Sequence, residues 1–243
     1  METQWEYRAV LAVDIEKSSG RGNTALVRNR ATLRELLRTA FGRSGVDWEA
    51  CARHDLGDGL RVTAPAGTRK APLVHPLVAE LAGLLRAHNA GDRDPATRIR
   101  VRMALHAGEV GLTADGDVAG APLETLARLL DAPPLRTALE QAPRSVPLAL
   151  LMSRHVYDDT VRHGYEGIDA DTFHEVGFTV KELTADAWLH TPGWTPPREP
   201  KRKARTRDRA APGAVTMRNK ASGNGVINAA QNGDLHVRIT RHP

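Results

Sequence analysis

One cysteine, Cys51, stands in 243 residues, so no disulfide can form within the chain. Nothing basic flanks it at a helix N-terminus, and it is expected to be a small buried residue rather than a reactive thiol. Aromatic residues are scarce at 4%, so Leu, Val and Ala must fill the core. No apolar run approaches the roughly 20 residues that a spanning helix requires. The N-terminus has no basic patch followed by an apolar stretch, so no signal peptide is expected. These absences point to a cytoplasmic protein without membrane contact. Excess charge is also missing from most of the chain. Between Arg198 and Arg209, seven basic residues stand against two acidic ones, which accounts for the whole net charge of +5. The high pI therefore describes one short segment and gives no sign of a specific nucleic-acid-binding fold.

What is present reads as alternating strands and helices. Tyr7–Ile15 holds the apolar run Ala9-Val10-Leu11-Ala12-Val13 and is a buried strand. Thr24–Phe41 is an amphipathic helix. Two short extended segments flank Leu56-Gly57-Asp58-Gly59-Leu60, where Asp-Gly signals a hairpin. Pro72–Asn89 reads as a second helix. Ile99–Leu105 alternates apolar residues with Arg100 and Arg102, which predicts a strand with one wet face. A second hairpin runs through Asp115-Gly116. Pro122–Leu130 is a third helix, with proline in its first turn where the missing N–H is harmless. A short helix near Leu135–Gln141, a strand at Val146–Leu151, a helix at Arg154–His163 and strands at Phe173–Val180 and Ala187–His190 complete the pattern. Because several strand pairs are hairpins, the expected class is α+β, a mostly antiparallel sheet with packed helices. From Thr191 to Gly213 there are five prolines and almost nothing apolar, the composition of a disordered linker.

Two carboxylates stand out. Asp14 ends the first apolar strand, and Asp58 sits between two glycines at a hairpin tip. Groups held by a rigid sheet in this way suit hard divalent cations, which take oxygen ligands and complete their shell with phosphates. Two such ions can clamp the attacking and leaving oxygens of a phosphoryl displacement. Taken singly, Asp14 could cap a loop and Asp58 could serve the turn.

The order Val13-Asp14-Ile15, Gly57-Asp58-Gly59, Arg102–Gly108 (Arg-Met-Ala-Leu-His-Ala-Gly) and then a glycine-led helix bearing Arg128 resembles the catalytic domain of class III adenylyl and guanylyl cyclases over about Arg8–Leu189. That resemblance implies a ferredoxin-like core and a pair of Mg2+ or Mn2+ ions on Asp14 and Asp58, with Ile15 beside them. It makes Arg128 the transition-state arginine and Lys181 the residue that grips the terminal phosphates. An arginine there can meet charge growing on phosphoryl oxygens; a surface Arg128 paired with Asp131 is the plainer alternative. Base selection falls to His54 and Asp117. Adenylyl cyclases usually carry Lys and Asp at these positions, and guanylyl cyclases Glu and Cys, so the base stays open, pyrimidines included. Glu124 replaces an asparagine that orients the ribose, and a carboxylate beside a triphosphate is unfavourable. The implied substrate is a nucleoside triphosphate, and the implied assembly is a head-to-tail homodimer. One protomer supplies the metal carboxylates, and the other supplies the base readers, the arginine and the lysine. A degenerate nucleotide-binding sensor is the alternative.

The expected organisation is a cyclase-like domain over 1–193, a basic linker over 194–213 and a β-prone tail over 214–243. The tail is rich in Asn, Gln and Gly, and such residues favour stacked cross-β assembly. Its centre, Ala-Ala-Gln-Asn-Gly-Asp at 229–234, resembles bacterial amyloid signalling motifs, relatives of the RIP homotypic interaction motif. The implied partner is a protein with a similar segment, and an adaptor acting through the tail is a third reading of the chain; a disordered tail or a docked hairpin is the plainer one.

Overall fold

A computed structural model describes residues 3–91, 94–113 and 117–195. Its centre is β1 (Gln4–Ile15), which is antiparallel to β3 (Gly59–Thr63) on one side and to β4 (Val101–Leu112) on the other. With β2 (Ala52–Asp55), β6 (Leu148–Ser153), β7 (Phe173–Val180) and β8 (Leu183–His190), these strands form a sheet in the order β2-β3-β1-β4-β6-β8-β7. A short β5 (Val118–Ala119) pairs with β4. Only the β4–β6 contact is parallel among these pairs, so the class is α+β with a mostly antiparallel sheet, as expected.

Both faces of β1 are buried, which is why its apolar residues run in succession instead of alternating. Leu11, Val13 and Ile15 pack with α1 (Asn23–Arg43), the short α2 (Ala71–Val74) and α3 (Leu77–Gly91) through Leu33, Leu37, Phe41, Leu73, Leu81 and Leu85. Val10 and Ala12 pack on the opposite face with α4 (Ala121–Leu130) and α5 (Pro133–Gln141), through Leu126, Leu129, Leu135 and Leu139. The last helix, α6 (Arg154–Asp159), follows β6 directly, and the Ser153 hydroxyl accepts from the Val156 N–H at its start. Cys51 is buried, and burial pushes its thiol pKa up to about 11. Among the described residues, no helix is long and apolar enough to cross a membrane.

Two sequence expectations need correction. The helix predicted over Pro72–Asn89 is two helices, broken at His75-Pro76. Pro76 disfavours a helical His75, which is extended at φ −142° and ψ 128°. The supposed wet face of β4 is not wet. Arg100 and Arg102 are only 17% and 15% exposed, and each meets a carboxylate, Glu16 and Asp14 respectively. β4 lies between β1 and β6, and α4 and α5 cover that face. The hairpin tip at Ala114–Gly116, most of the predicted linker and the whole amyloid-like tail lie outside the described residues.

Candidate active site

Asp14 sits at the C-terminal end of β1, directly opposite Arg102 on β4 and Gly59 on β3. It is 8% exposed. Arg102 Nε donates to Asp14 Oδ1 at 2.8 Å, and Arg102 Nη2 donates to Oδ2 at 2.5 Å. Burial pushes the Asp14 carboxyl up to about 6; Arg102 opposes this, and the charges of Asp58 and Asp131 add to it. A carboxylate that is costly to ionise even beside a guanidinium would gain from a further cation.

Asp58 reaches the same place through the β2–β3 hairpin. Gly57 turns the chain with φ 91°, a left-handed conformation that glycine adopts freely. At Gly59 a Cβ would fall 2.0 Å from the Val13 carbonyl oxygen, so only glycine lets the hairpin approach β1 this closely. The Ile15 N–H donates to the Asp58 carbonyl at 3.1 Å, and the Ser18 hydroxyl donates to Asp58 Oδ2 at 2.6 Å. Asp55 fastens the hairpin to α1. It accepts from the Gly57 N–H at 2.7 Å and from Arg30 Nη2 at 2.5 Å. The Gly57 bond first, and Arg30 second, hold its carboxyl below the usual range.

Ile15, Glu16, Ser18, Asp58 and Arg102 line a cleft of about 270 Å3. Glu16 Oε2 accepts from Arg100 Nη1 at 3.1 Å, while Glu16 Oε1 is buried with no hydrogen-bond partner. Among the described residues no group of three or more His, Cys, Asp or Glu side chains is arranged to hold a metal. The fit to divalent ions therefore rests on two adjacent carboxylates with main-chain oxygen beside them. Such hard donors suit Mg2+ or Mn2+, because Mg2+ uses one or two carboxylates and leaves positions for phosphate oxygens.

Arg128 and Lys181 lie elsewhere on the fold, where Arg128 meets Glu182, the residue after Lys181. Arg128 lies in the last turn of α4, and Lys181 and Glu182 form the turn between β7 and β8, Lys181 with φ 52°. Arg128 Nη2 donates to Glu182 Oε1 at 2.9 Å. The pairing with Asp131 anticipated from local spacing is not formed; Asp131 accepts from Arg136 instead. Glu124 is exposed, one turn before Arg128 on α4. His54 is exposed on β2, opposite Arg61 of β3. Asp117 closes the base of the β4–β5 hairpin: its carbonyl accepts from the Thr113 N–H at 3.0 Å.

Arg102 and Ser18 were not singled out from the sequence. Arg102 was visible as the polar member of the β4 alternation, but its partner is 88 residues away. His106, from the same motif, is tied by Nδ1 to the Ser153 hydroxyl at 2.8 Å. Burial, then His155, lowers its pKa to about 4.

No protein-family model matches the chain, and no curated protein matches it. Solved structures do. The adenylate/guanylate cyclase/hydrolase from Silicibacter pomeroyi is 20% identical with a TM-score of 0.56, over 79% of this chain and 99% of that one. The guanylyl cyclase Cya2 is 14% identical with a TM-score of 0.54, over 79% and 93%. The adenylyl cyclase CyaB from P. aeruginosa is 16% identical with a TM-score of 0.50, over 79% and 95%. The described domain has the fold of adenylyl and guanylyl cyclases. At these identities the likeness shows the fold alone. On that cyclase fold, the convergence of Asp14, Ile15 and Asp58 is an observation of this chain's own geometry.

Proposed function

We propose that this protein is a metal-dependent nucleotide cyclase acting in signalling. The observation that carries the reading is the adjacency of Asp14 and Asp58, set by the Asp14–Gly59 pairing of β1 with β3 and the Ile15 N–H bond to the Asp58 carbonyl, on a fold shared with adenylyl and guanylyl cyclases. In the reaction, the ribose 3′-oxygen bonds to the α-phosphorus of a nucleoside triphosphate. The bond from that phosphorus to the bridging oxygen breaks, pyrophosphate leaves with the electron pair, and the hydroxyl proton is released. A 3′,5′-cyclic nucleotide results.

Asp14, Asp58 and the Ile15 carbonyl would hold Mg2+ or Mn2+, which would supply Lewis-acid polarisation of the phosphoryl oxygens and would ease loss of the hydroxyl proton. Arg102 keeps Asp14 oriented, and Ser18 does the same for Asp58. Arg128 meets charge on the α-phosphoryl group, and Lys181 binds the terminal phosphates. These last two act on the site of a second protomer in a head-to-tail homodimer. A nucleoside triphosphate substrate supports a cytoplasmic location for this activity. The tail, 214–243, would recruit a protein with a similar segment by cross-β pairing; a peptide of those residues that stays monomeric at high concentration would remove that role.

A second reading, a degenerate nucleotide-binding sensor, is favoured by one feature. Arg128 is already engaged by Glu182, with Glu124 a turn away. The deciding experiment incubates the purified chain with each of the four ribonucleoside triphosphates and Mn2+ or Mg2+. A cyclic product found by mass supports the enzyme. Nucleotide binding without product under every combination supports the sensor.

A further inference from the structure

The two anticipated base readers, His54 and Asp117, are joined by a third side chain. Arg61 on β3 lies directly opposite His54 on β2 and opposite Ala12 on β1. Directly opposed residues of antiparallel strands carry their side chains on one face, about 5 Å apart at Cβ. Ala12 belongs to the face covered by α4 and α5, so Arg61 and His54 project to that same side. Asp117, at the base of the β4–β5 hairpin, is bonded to Thr113, and its charge is felt at Arg61. Burial lowers the Arg61 pKa, and the Asp117 charge raises it. Among the described residues Arg61 makes no hydrogen bond and no ion pair. A half-buried guanidinium with unused donors therefore shares a face with the directly opposed imidazole of His54 and feels the charge of the Asp117 carboxylate without pairing with it.

We infer that Arg61 is a third, specificity-determining contact of the base, and that it selects nucleoside triphosphates whose base carries an exocyclic carbonyl oxygen over those of adenine. This rests on the cyclase reading above. A guanidinium has five N–H donors and no acceptor. Guanine, cytosine and uracil each present a carbonyl oxygen for it and an N–H that Asp117 can accept. Adenine presents an amine to Asp117 and only single ring nitrogens to Arg61, and a guanidinium that reaches the ring nitrogen beside the amine sets its remaining donors against the amine hydrogens. A desolvated guanidinium whose donors are only partly matched and otherwise face amine hydrogens is unfavourable. A well-placed contact of this kind discriminates by roughly tenfold to a hundredfold.

The test uses the full chain with Mn2+ and the four 3′-deoxynucleoside triphosphates, which lack the attacking hydroxyl. Titration calorimetry should give at least one carbonyl-bearing base a Kd at least tenfold lower than that of the adenine analogue. Arg61→Met should erase that ratio. Arg61→Gln should admit adenine, because a carboxamide can donate to a ring nitrogen while accepting from the amine. Adenine bound as tightly as the others by the wild-type chain would overturn the assignment. So would a ratio preserved in Arg61→Met, or a uniform loss for all four analogues in both variants, which would mark Arg61 as structural. Turnover of the ribonucleotides separates the two claims. Discriminating binding with no cyclic product refutes the cyclase and leaves the base assignment standing. Cyclisation of ATP as efficient as any other refutes the base assignment and leaves the cyclase. No binding of any analogue refutes both.

Discussion

Asp14 and Arg102 face each other across β1 and β4 in a bidentate pair of 2.8 and 2.5 Å, and Asp58 enters beside them through a contact with the Ile15 N–H. The arginine orients the carboxylate without fully offsetting its desolvation, since burial still pushes Asp14 up to about 6. A site of this kind holds unfavourable negative charge, a penalty that the divalent ions proposed for it would relieve.

The pH dependence of stability follows from two buried groups with opposite signs. Asp14 is raised from 3.8 to about 6. Its contribution is complete below its unfolded value and is lost as pH rises through 6. His106 is lowered from 6.5 to about 4. Its contribution is complete above 6.5 and is lost as pH falls through 4. Each shift corresponds to at most about 3 kcal/mol. In chelator, the two should largely cancel between pH 4 and 6.5. Urea unfolding should show Asp14→Asn losing stability on acidification relative to wild type, and His106→Asn gaining it. Parallel curves for both variants would contradict the assignment of either group. Adding Mn2+ at pH 7 should stabilise wild type and leave Asp14→Asn nearly unchanged.

Asp14→Ala and Asp58→Ala should each lower kcat at least about 100-fold, because the proposed phosphoryl transfer would lose a metal-holding group worth several kcal/mol. Asp58→Ala should stay fully folded, as judged by far-UV circular dichroism, since Asp58 lies on a hairpin tip. Asp14→Ala leaves the buried Arg102 guanidinium unpaired and should lower Tm, so Asp14→Asn, which keeps an acceptor for Arg102, is the variant whose rate isolates the lost charge. Saturating Mn2+ should not restore the rate. Full turnover by either variant would end the metal assignment.

The proposed head-to-tail homodimer, with its site shared between protomers, predicts complementation. Asp58→Ala and Arg128→Ala should each be inactive alone. Mixed after subunit exchange, they form heterodimers with one site carrying both defects and one carrying neither, so activity should return. The expected maximum is about a quarter of wild type for a random mixture of two-site dimers. Demonstrated exchange with no recovered product would refute a site built from two protomers.

The elements legible in the sequence are those specified by neighbours in the chain. The unbroken apolar run of β1 announced a strand buried on both faces, and Gly57-Asp58-Gly59 announced a tight turn bearing a carboxylate. The helix break at Pro76 was also local and was missed, although the restriction that proline places on His75 is a local rule. What could not be read locally were the partners of charged residues. Alternation marked Arg100 and Arg102 as polar and implied water, but the carboxylates that meet them come from the end of β1 and the turn after it. Arg128 had Asp131 three residues away, yet its partner lies 54 residues downstream. Arg61 gave no signal, because its setting depends on the pairing of β2, β3 and β1 and on the charge of Asp117.

The contact between Arg128 and Glu182 makes a prediction that separates the enzyme from the sensor. Arg128 is 18% exposed at its side chain, whereas Glu182 is 74% exposed. An ion pair with one partner so open to water is screened and adds little to folding. It still occupies the guanidinium that the proposed chemistry requires. Arg128 must leave Glu182 before it can meet the phosphoryl group, so the competent fraction of the protein is reduced by the pair. Glu182→Gln should therefore raise kcat roughly twofold to fivefold with an unchanged Tm, and Arg128→Ala should abolish product. Raising salt should help wild type more than the Glu182→Gln variant, because screening weakens only the charged pair. A fall in kcat for Glu182→Gln would show that Glu182 positions Arg128 productively instead of withholding it.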